Sequence, residues 1–137
     1  MAKKILVPDE NHPITIDSDA RRVVVRVADT VIADTTAALT LREAEYSPVS
    51  YIPLGDVIPG SLRQSSTRTY CPYKGEASYY DVVLADGRQI VDAVWTYPTP
   101  HPAMAAIANH VAFYTDRVQL TVEASGAGTL SPGSGRA

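Results

Sequence analysis

Short runs of β-branched and aromatic residues, separated by turn residues, recur through positions 12–123 and constrain the fold more than any other feature. Such runs are typical of strands, and their close spacing leaves room for tight turns between antiparallel neighbours. In the first pair, Asp29 and Thr30 separate RRVVVRVA from VIAD, which predicts a hairpin. The sequence therefore predicts a mainly β fold of curled antiparallel sheets rather than a parallel α/β array.

One segment, TAALTLREAE at 36–45, fits both a helix and a strand. Its Ala, Leu and Glu favour a helix, whereas the alternation of its side chains fits the period of a strand and places Leu39, Leu41 and Glu43 on one face. Because it lies between two strong β stretches, we predict a strand. One short helix is expected near residues 102–109, where Pro102 suits a first turn.

The two ends of the chain differ from this pattern. Residues 1–11 form a polar, turn-like stretch, and residues 124–137 are small and rich in glycine and serine. Both are predicted to be flexible. The chain of 137 residues is therefore predicted to form a single β-rich domain over residues 12–123.

Charge and hydropathy argue against several classes of partner. The net charge is −3 and no basic run is interleaved with aromatic residues, so no nucleic-acid partner is expected. The first residues lack the apolar stretch of a secretory signal, and no apolar run is long enough to cross a bilayer, which predicts a cytoplasmic protein without a membrane partner. Exposed strand edges allow a homodimer, but no pattern specifies an interface.

Four blocks of the chain together form a distinctive pattern. They are HPITI at 12–16, ALTLRE at 38–43, TYCPYKGEASYY at 69–80 and VWTYPTPHPAMAAIANHVAFY at 94–114. With these blocks the chain resembles the bacterial domain-of-unknown-function 427 family. The resemblance implies a β-tent-like fold, shared with zinc-binding proteins such as methionine sulfoxide reductase B, and the family is sometimes labelled a nucleotidyltransferase domain.

The residues themselves do not predict a metal site or a cofactor. Tetrahedral zinc takes four thiolate or imidazole donors, but this chain has one cysteine and three dispersed histidines. Nucleotidyl transfer needs metal-binding carboxylates, which Asp17 and Asp19 offer, yet no glycine-rich phosphate loop accompanies them. A nucleotidyltransferase is therefore the least favoured function.

Three residues near the predicted Pro72–Gly75 turn are candidate catalytic groups. Lys74 and Glu76 would place a cation and a carboxylate at the mouth of a cleft, or else they mark a solvated hairpin tip. Cys71 is a candidate nucleophile, because the nearby Lys74 favours the thiolate. The alternative for Cys71 is a structural, buried cysteine.

The aromatic residues support the principal hypothesis. The chain has eight Tyr against one Phe and one Trp, and a tyrosine ring with its hydroxyl suits the wall of a binding cleft. Alternation places Trp95 and Tyr97 on one face of their strand. The predicted ligand-binding set is Tyr51, Tyr79, Trp95 and Tyr97 together with Arg42 and His12.

We therefore expect a small-molecule-binding β domain with an aromatic-lined cleft, whose ligand the residues do not name. Two alternatives stay open. An enzyme would use the same cleft, with proton transfer by Lys74, Glu76 or a tyrosine and Cys71 as nucleophile. A half-buried aromatic core under a curled sheet explains the same rings without any ligand.

Overall fold

The computed structural model describes residues 3–123, and within them it confirms a mainly β fold. Ten strands form two antiparallel sheets, and the helical content is limited to short 3₁₀ turns. The strands are β1 Ile14–Asp19, β2 Arg22–Val27, β3 Thr30–Thr35, β4 Ala38–Glu43, β5 Val49–Pro53, β6 Leu62–Cys71, β7 Gly75–Val83, β8 Gln89–Thr96, β9 His110–Phe113 and β10 Gln119–Glu123.

The larger sheet has seven strands in the order β1-β4-β5-β9-β8-β7-β6, and the smaller has three in the order β10-β2-β3. The predicted hairpin is present as β2 and β3. Its turn residues Ala28 and Asp29 both have positive φ, 49° and 68°, which is the backbone that two-residue hairpin turns require. The ambiguous segment at 36–45 contains β4, so strand alternation prevails there over helix propensity.

The predicted helix is a 3₁₀ turn over Pro102–Ile107, and a second 3₁₀ turn spans Leu54–Asp56. Met104 and Ile107 are the buried residues of the longer turn. Within it, Met104 has non-helical dihedral angles, φ −113° and ψ 18°, so the backbone kinks instead of continuing as an α-helix. The turn therefore buries these two apolar side chains without forming an α-helix.

Two clusters of buried side chains lie on opposite faces of the larger sheet. The first, here called the intersheet core, joins that sheet to the smaller one through residues such as Val23, Val25 and Val94. The second, here called the aromatic core, is built from Leu41, Tyr51, Ala77, Tyr97, Met104, Ile107 and Ala112. Alternation explains the division, because neighbours such as Tyr51 and Ile52 belong to different cores.

The larger sheet is curled around the aromatic core. Ile14 and Ile16 on edge strand β1 and Cys71 on edge strand β6 pack against the same cluster. Strands at opposite ends of the sheet therefore approach each other. Closing a sheet in this way reduces the length of exposed strand edge.

The described part of the N-terminal segment lies against the β6–β7 turn. The Leu6 amide donates to the Pro72 carbonyl at 3.0 Å, and the Tyr70 hydroxyl donates to the Lys4 carbonyl. Lys3 also forms an exposed ion pair with Glu76. The predicted flexible tail at 124–137 lies outside the described residues, and the domain limits stay predictions.

Candidate functional site

A concavity of about 250 Å³ opens on the aromatic core. Its walls combine tyrosine and tryptophan rings with one cation and one carboxylate. The lining residues are Leu41, Glu43, Tyr46, Ser47, Val49, Tyr51, Lys74, Tyr79, Trp95, Tyr97 and Tyr114. This volume lies just below the roughly 300–1,000 Å³ of typical ligand pockets.

The charged part of the wall is an ion pair between Lys74 and Glu43. Lys74 Nζ donates to Glu43 Oε1, and the two side chains are only 9% and 16% exposed. The second carboxylate oxygen, Oε2, lies 2.8 Å from His12 Nε2. The His12 ring is in turn stacked on Tyr73, with ring centroids 4.2 Å apart. These contacts fix the carboxylate at both of its oxygens.

The two hydrogen-bond partners of Glu43 affect its pKa more than its burial does. Burial raises the pKa of Glu43, but the hydrogen bonds from Lys74 and His12 lower it more, and the result lies below the ordinary value of 4.5. Glu43 therefore carries a negative charge at neutral pH. Its charge is balanced locally by the ammonium group of Lys74.

Three aromatic rings form a connected wall beside this pair. The Trp95 indole nitrogen donates to the Tyr51 hydroxyl at 3.1 Å, and the two rings meet edge to face at 6.4 Å. On its other side Trp95 lies 4.6 Å from the Tyr114 ring. The half-exposed indole is therefore held in place from two directions, as a preformed binding surface requires.

Burial changes the acidity of the tyrosines. It raises the pKa of Tyr51 and of Tyr97 above the usual range, because their phenolates would be desolvated. Burial, together with the neighbouring Tyr79 hydroxyl, raises the pKa of Tyr114 to about 12. All three hydroxyls therefore keep their protons at physiological pH.

The structure brings together five of the predicted site residues. Tyr51, Tyr79, Trp95, Tyr97 and Lys74 all line the concavity. Tyr79 comes from β7, Trp95 from β8 and Tyr51 from β5, so the curled sheet supplies the rings from three strands. Lys74 comes from the turn between β6 and β7.

The other predicted residues do not line the concavity. Glu76 is 61% exposed and pairs with Lys3, while Arg42 is 56% exposed and lies 3.6 Å from Asp17. His12 is connected to the concavity only through its contact with Glu43. Cys71 is half-buried against the aromatic core and is absent from the lining.

Glu43 is the main residue that the sequence-based set omits. On β4 it shares a face with Leu39 and Leu41, and both pack in or against the aromatic core. A carboxylate that continues an apolar face needs a partner, because an unpaired buried charge is costly. That alternation is visible in the sequence and is the signal that points to Glu43. Tyr114 follows β9, and no pattern in the sequence indicates that it lines the concavity.

A second, larger concavity of about 460 Å³ shares Trp95 and Tyr114 with the first. It is lined also by Ser47, Pro48, Val49, Ser50, Phe113, Thr115, Asp116 and Leu120. Its charged lining residue is Asp116, which is exposed. Because a buried, fixed charge is the stronger indication of a built site, we assign the candidate site to the smaller concavity.

Residues 3–123 contain neither a metal-binding cluster nor a membrane-spanning helix. No three side chains among His, Cys, Asp and Glu come close enough together to hold a metal ion. No helix in the same part of the chain is long and apolar enough to cross a membrane.

The fold and the site define a small all-β domain with a charged, aromatic concavity on one face of a curled sheet. The model of the family described as a domain of unknown function (DUF427) matches residues 15–124. The chain belongs to this family, which confirms the resemblance seen in its four sequence blocks. Comparison with curated proteins gives no match.

Proposed function

We propose that this domain binds a small molecule in the concavity formed by Tyr51, Tyr79, Trp95, Tyr97, Lys74 and Glu43. The main support is the Lys74–Glu43 ion pair, which is almost buried in a wall otherwise made of aromatic rings. Taking two charges out of water costs free energy, and an apolar pair of similar volume would often be at least as stable. A charged pair facing a concavity is therefore better explained by a ligand than by stability.

Quenching of Trp95 fluorescence tests this proposal, because Trp95 is the single tryptophan and lines the concavity. The panel contains nucleotides, aromatic metabolites and quaternary amines. Saturable quenching by one class is expected, and Tyr79→Leu should weaken it. The matched control is Tyr80→Leu, because Tyr80 is the next residue and packs against the intersheet core. If no member of the panel binds and iodide does not quench Trp95, the aromatic rings only pack in the protein core. That result would contradict the proposal.

A second proposal is that the domain is an enzyme that transfers a proton in the same concavity. Its support is the chain of contacts from His12, which is 27% exposed, through Glu43 to Lys74. Such a chain can exchange a proton between a bound substrate and solvent. Once a ligand is identified, its turnover can be followed by NMR. His12→Gln should slow turnover while leaving affinity unchanged, and equal rates in both proteins would contradict the proposal.

The nucleotidyltransferase hypothesis has its own test. A ligand that binds only the native state raises thermal stability by mass action. Mg²⁺ with a nucleoside triphosphate should therefore raise the melting temperature if this hypothesis holds. No change at millimolar concentration would remove it.

A further inference from the structure

The charged donor of the concavity is only partly used within residues 3–123. Glu43, the one carboxylate of the lining, accepts one hydrogen bond on each oxygen, from Lys74 and from His12. Both of its oxygens are therefore already held by protein donors. The N–H and O–H groups that remain can donate to a ligand.

Lys74 is the first of these donors. An ammonium group has three N–H bonds, and within residues 3–123 Lys74 Nζ donates to one acceptor, Glu43 Oε1. The side chain is 9% exposed, so little bulk water reaches the group. Lys74 is also one of the residues that line the concavity.

The tyrosine hydroxyls are further hydrogen-bond donors. Tyr51 accepts a hydrogen bond from Trp95, and its own O–H has no acceptor among the described residues. Tyr97 is 8% exposed, and its hydroxyl makes no hydrogen bond within the same part of the chain. Tyr97 lines the concavity, and within residues 3–123 its hydroxyl is not among the fully buried side-chain atoms that lack a hydrogen-bond partner.

We infer that the ligand is a small aromatic acid, whose carboxylate accepts hydrogen bonds from Lys74, Tyr97 and Tyr51 and whose ring lies against Trp95 and Tyr79, which are paired across β8 and β7. This inference rests on the proposed binding function and names the ligand class. A carboxylate supplies several acceptor sites in one plane, and charge-assisted hydrogen bonds to it are stronger than neutral ones. A cationic ligand would instead meet the like charge of Lys74 and would share Glu43 with the two donors that it already has.

Three probes of similar shape test the inference on the full chain: phenylacetate, phenylacetamide and phenethylamine. Binding is measured by Trp95 quenching and by ligand-observed NMR, so that a silent fluorophore does not hide a complex. Phenylacetate should bind more tightly than phenylacetamide by about tenfold, since hydrogen bonds to a charged group are stronger than those to a neutral one. Phenethylamine should not bind measurably.

Tyr97→Phe is the diagnostic variant. It removes one donor and leaves no charge unpaired, so the protein should fold normally and phenylacetate binding should weaken about tenfold. Lys74→Met should remove the preference for phenylacetate over phenylacetamide. Tyr80→Phe is the matched control, since Tyr80 packs against the intersheet core, and it should leave affinity unchanged.

The outcomes separate this inference from the proposed function. Equal or tighter binding of the amide or the amine, or phenylacetate binding that Tyr97→Phe does not weaken, would overturn the acid but leave a binding domain. The same holds if none of the three probes binds while another member of the wider panel quenches Trp95 saturably. No binding by any probe or panel member would overturn both.

Discussion

Glu43 and Lys74 are 31 residues apart in the sequence, yet their side chains form an ion pair between the end of β4 and the β6–β7 turn. Three strands, β5, β9 and β8, lie between β4 and β7 in the order of the larger sheet. The pair therefore joins distant parts of the curled sheet, and the same contact forms the charged wall of the concavity.

Breaking this pair should destabilise the protein strongly. Lys74→Met leaves the mostly buried Glu43 carboxylate without its main partner, so we expect a loss of about 2–4 kcal/mol in the free energy of unfolding, measured with urea. The control is Lys3→Met, because the Lys3–Glu76 pair is exposed and should contribute less than about 1 kcal/mol. Adding Glu43→Leu to Lys74→Met should recover part of the loss. Equal effects of the two single lysine variants would contradict this account.

Glu43 should also make stability depend on pH in the acid range. Its pKa is lower in the folded protein than the ordinary 4.5, so the unfolded chain binds the proton more readily. The stabilisation is present above the unfolded pKa and is lost as the pH falls through the folded value. Melting temperatures between about pH 7 and pH 3 should therefore fall less steeply in Glu43→Gln than in the wild type.

The control for this pH series is Glu76→Gln. Glu76 is 61% exposed and its partner Lys3 is equally accessible, so its removal should leave the acid limb of the curve unchanged. The stability of the Glu43→Gln variant should still fall in acid, because Asp19 and Asp34 also have pKa values lowered by their arginine partners. Parallel curves for wild type and Glu43→Gln would show that Glu43 is not linked to folding.

The local part of the site could be predicted from the sequence, and the long-range part could not. Alternation along β7 and β8 assigns Tyr79, Trp95 and Tyr97 to the aromatic core, because side-chain direction depends only on neighbouring residues. The contact of Lys74 with Glu43 depends on how far the sheet curls and on the order of its strands. Neither quantity is encoded within a short segment.

The irregular pairing of β7 with β8 could not be predicted from the sequence either. The β7–β8 pairing shifts register between Tyr80 and Val82, and Asp92 on the opposing strand has a φ of 52°. At this position the Asp92 amide donates to the Asp81 carboxylate on the neighbouring strand, 11 residues away. A single strand does not contain the information that places a bulge.

Two tyrosine hydroxyls in the concavity should differ in their contribution to stability. The Tyr51 hydroxyl accepts the Trp95 indole N–H, so Tyr51→Phe should cost about 1 kcal/mol in the free energy of unfolding. The Tyr97 hydroxyl has no hydrogen-bond partner in the described chain, so Tyr97→Phe should change stability by less than about 0.5 kcal/mol. Urea denaturation of both variants provides the comparison. A larger loss for Tyr97→Phe would mean that its hydroxyl has a structural partner.

The β6–β7 turn should be sensitive to any side chain at Gly75. This residue has a φ of 115°, and an added Cβ would lie 3.3 Å from the Thr99 carbonyl oxygen and 3.6 Å from the His101 nitrogen. Gly87 also has a positive φ, 92°, but an added Cβ there would meet nothing within 4 Å. Gly87→Ala should therefore cost only the backbone strain, about 1–2 kcal/mol, whereas Gly75→Ala should cost more.

Comparing Gly75→Ala with Gly87→Ala also tests the proposed binding function. Next to Gly75, the Lys74 carbonyl accepts a hydrogen bond from the His101 amide at 2.9 Å. Moving this backbone would displace the Lys74 ammonium from the concavity. Gly75→Ala should thus weaken phenylacetate binding as well as stability, while Gly87→Ala should lower stability alone. Equal losses of stability would mean that the Thr99 segment yields to the methyl group. Unchanged binding in Gly75→Ala would mean that the position of Lys74 does not depend on this turn.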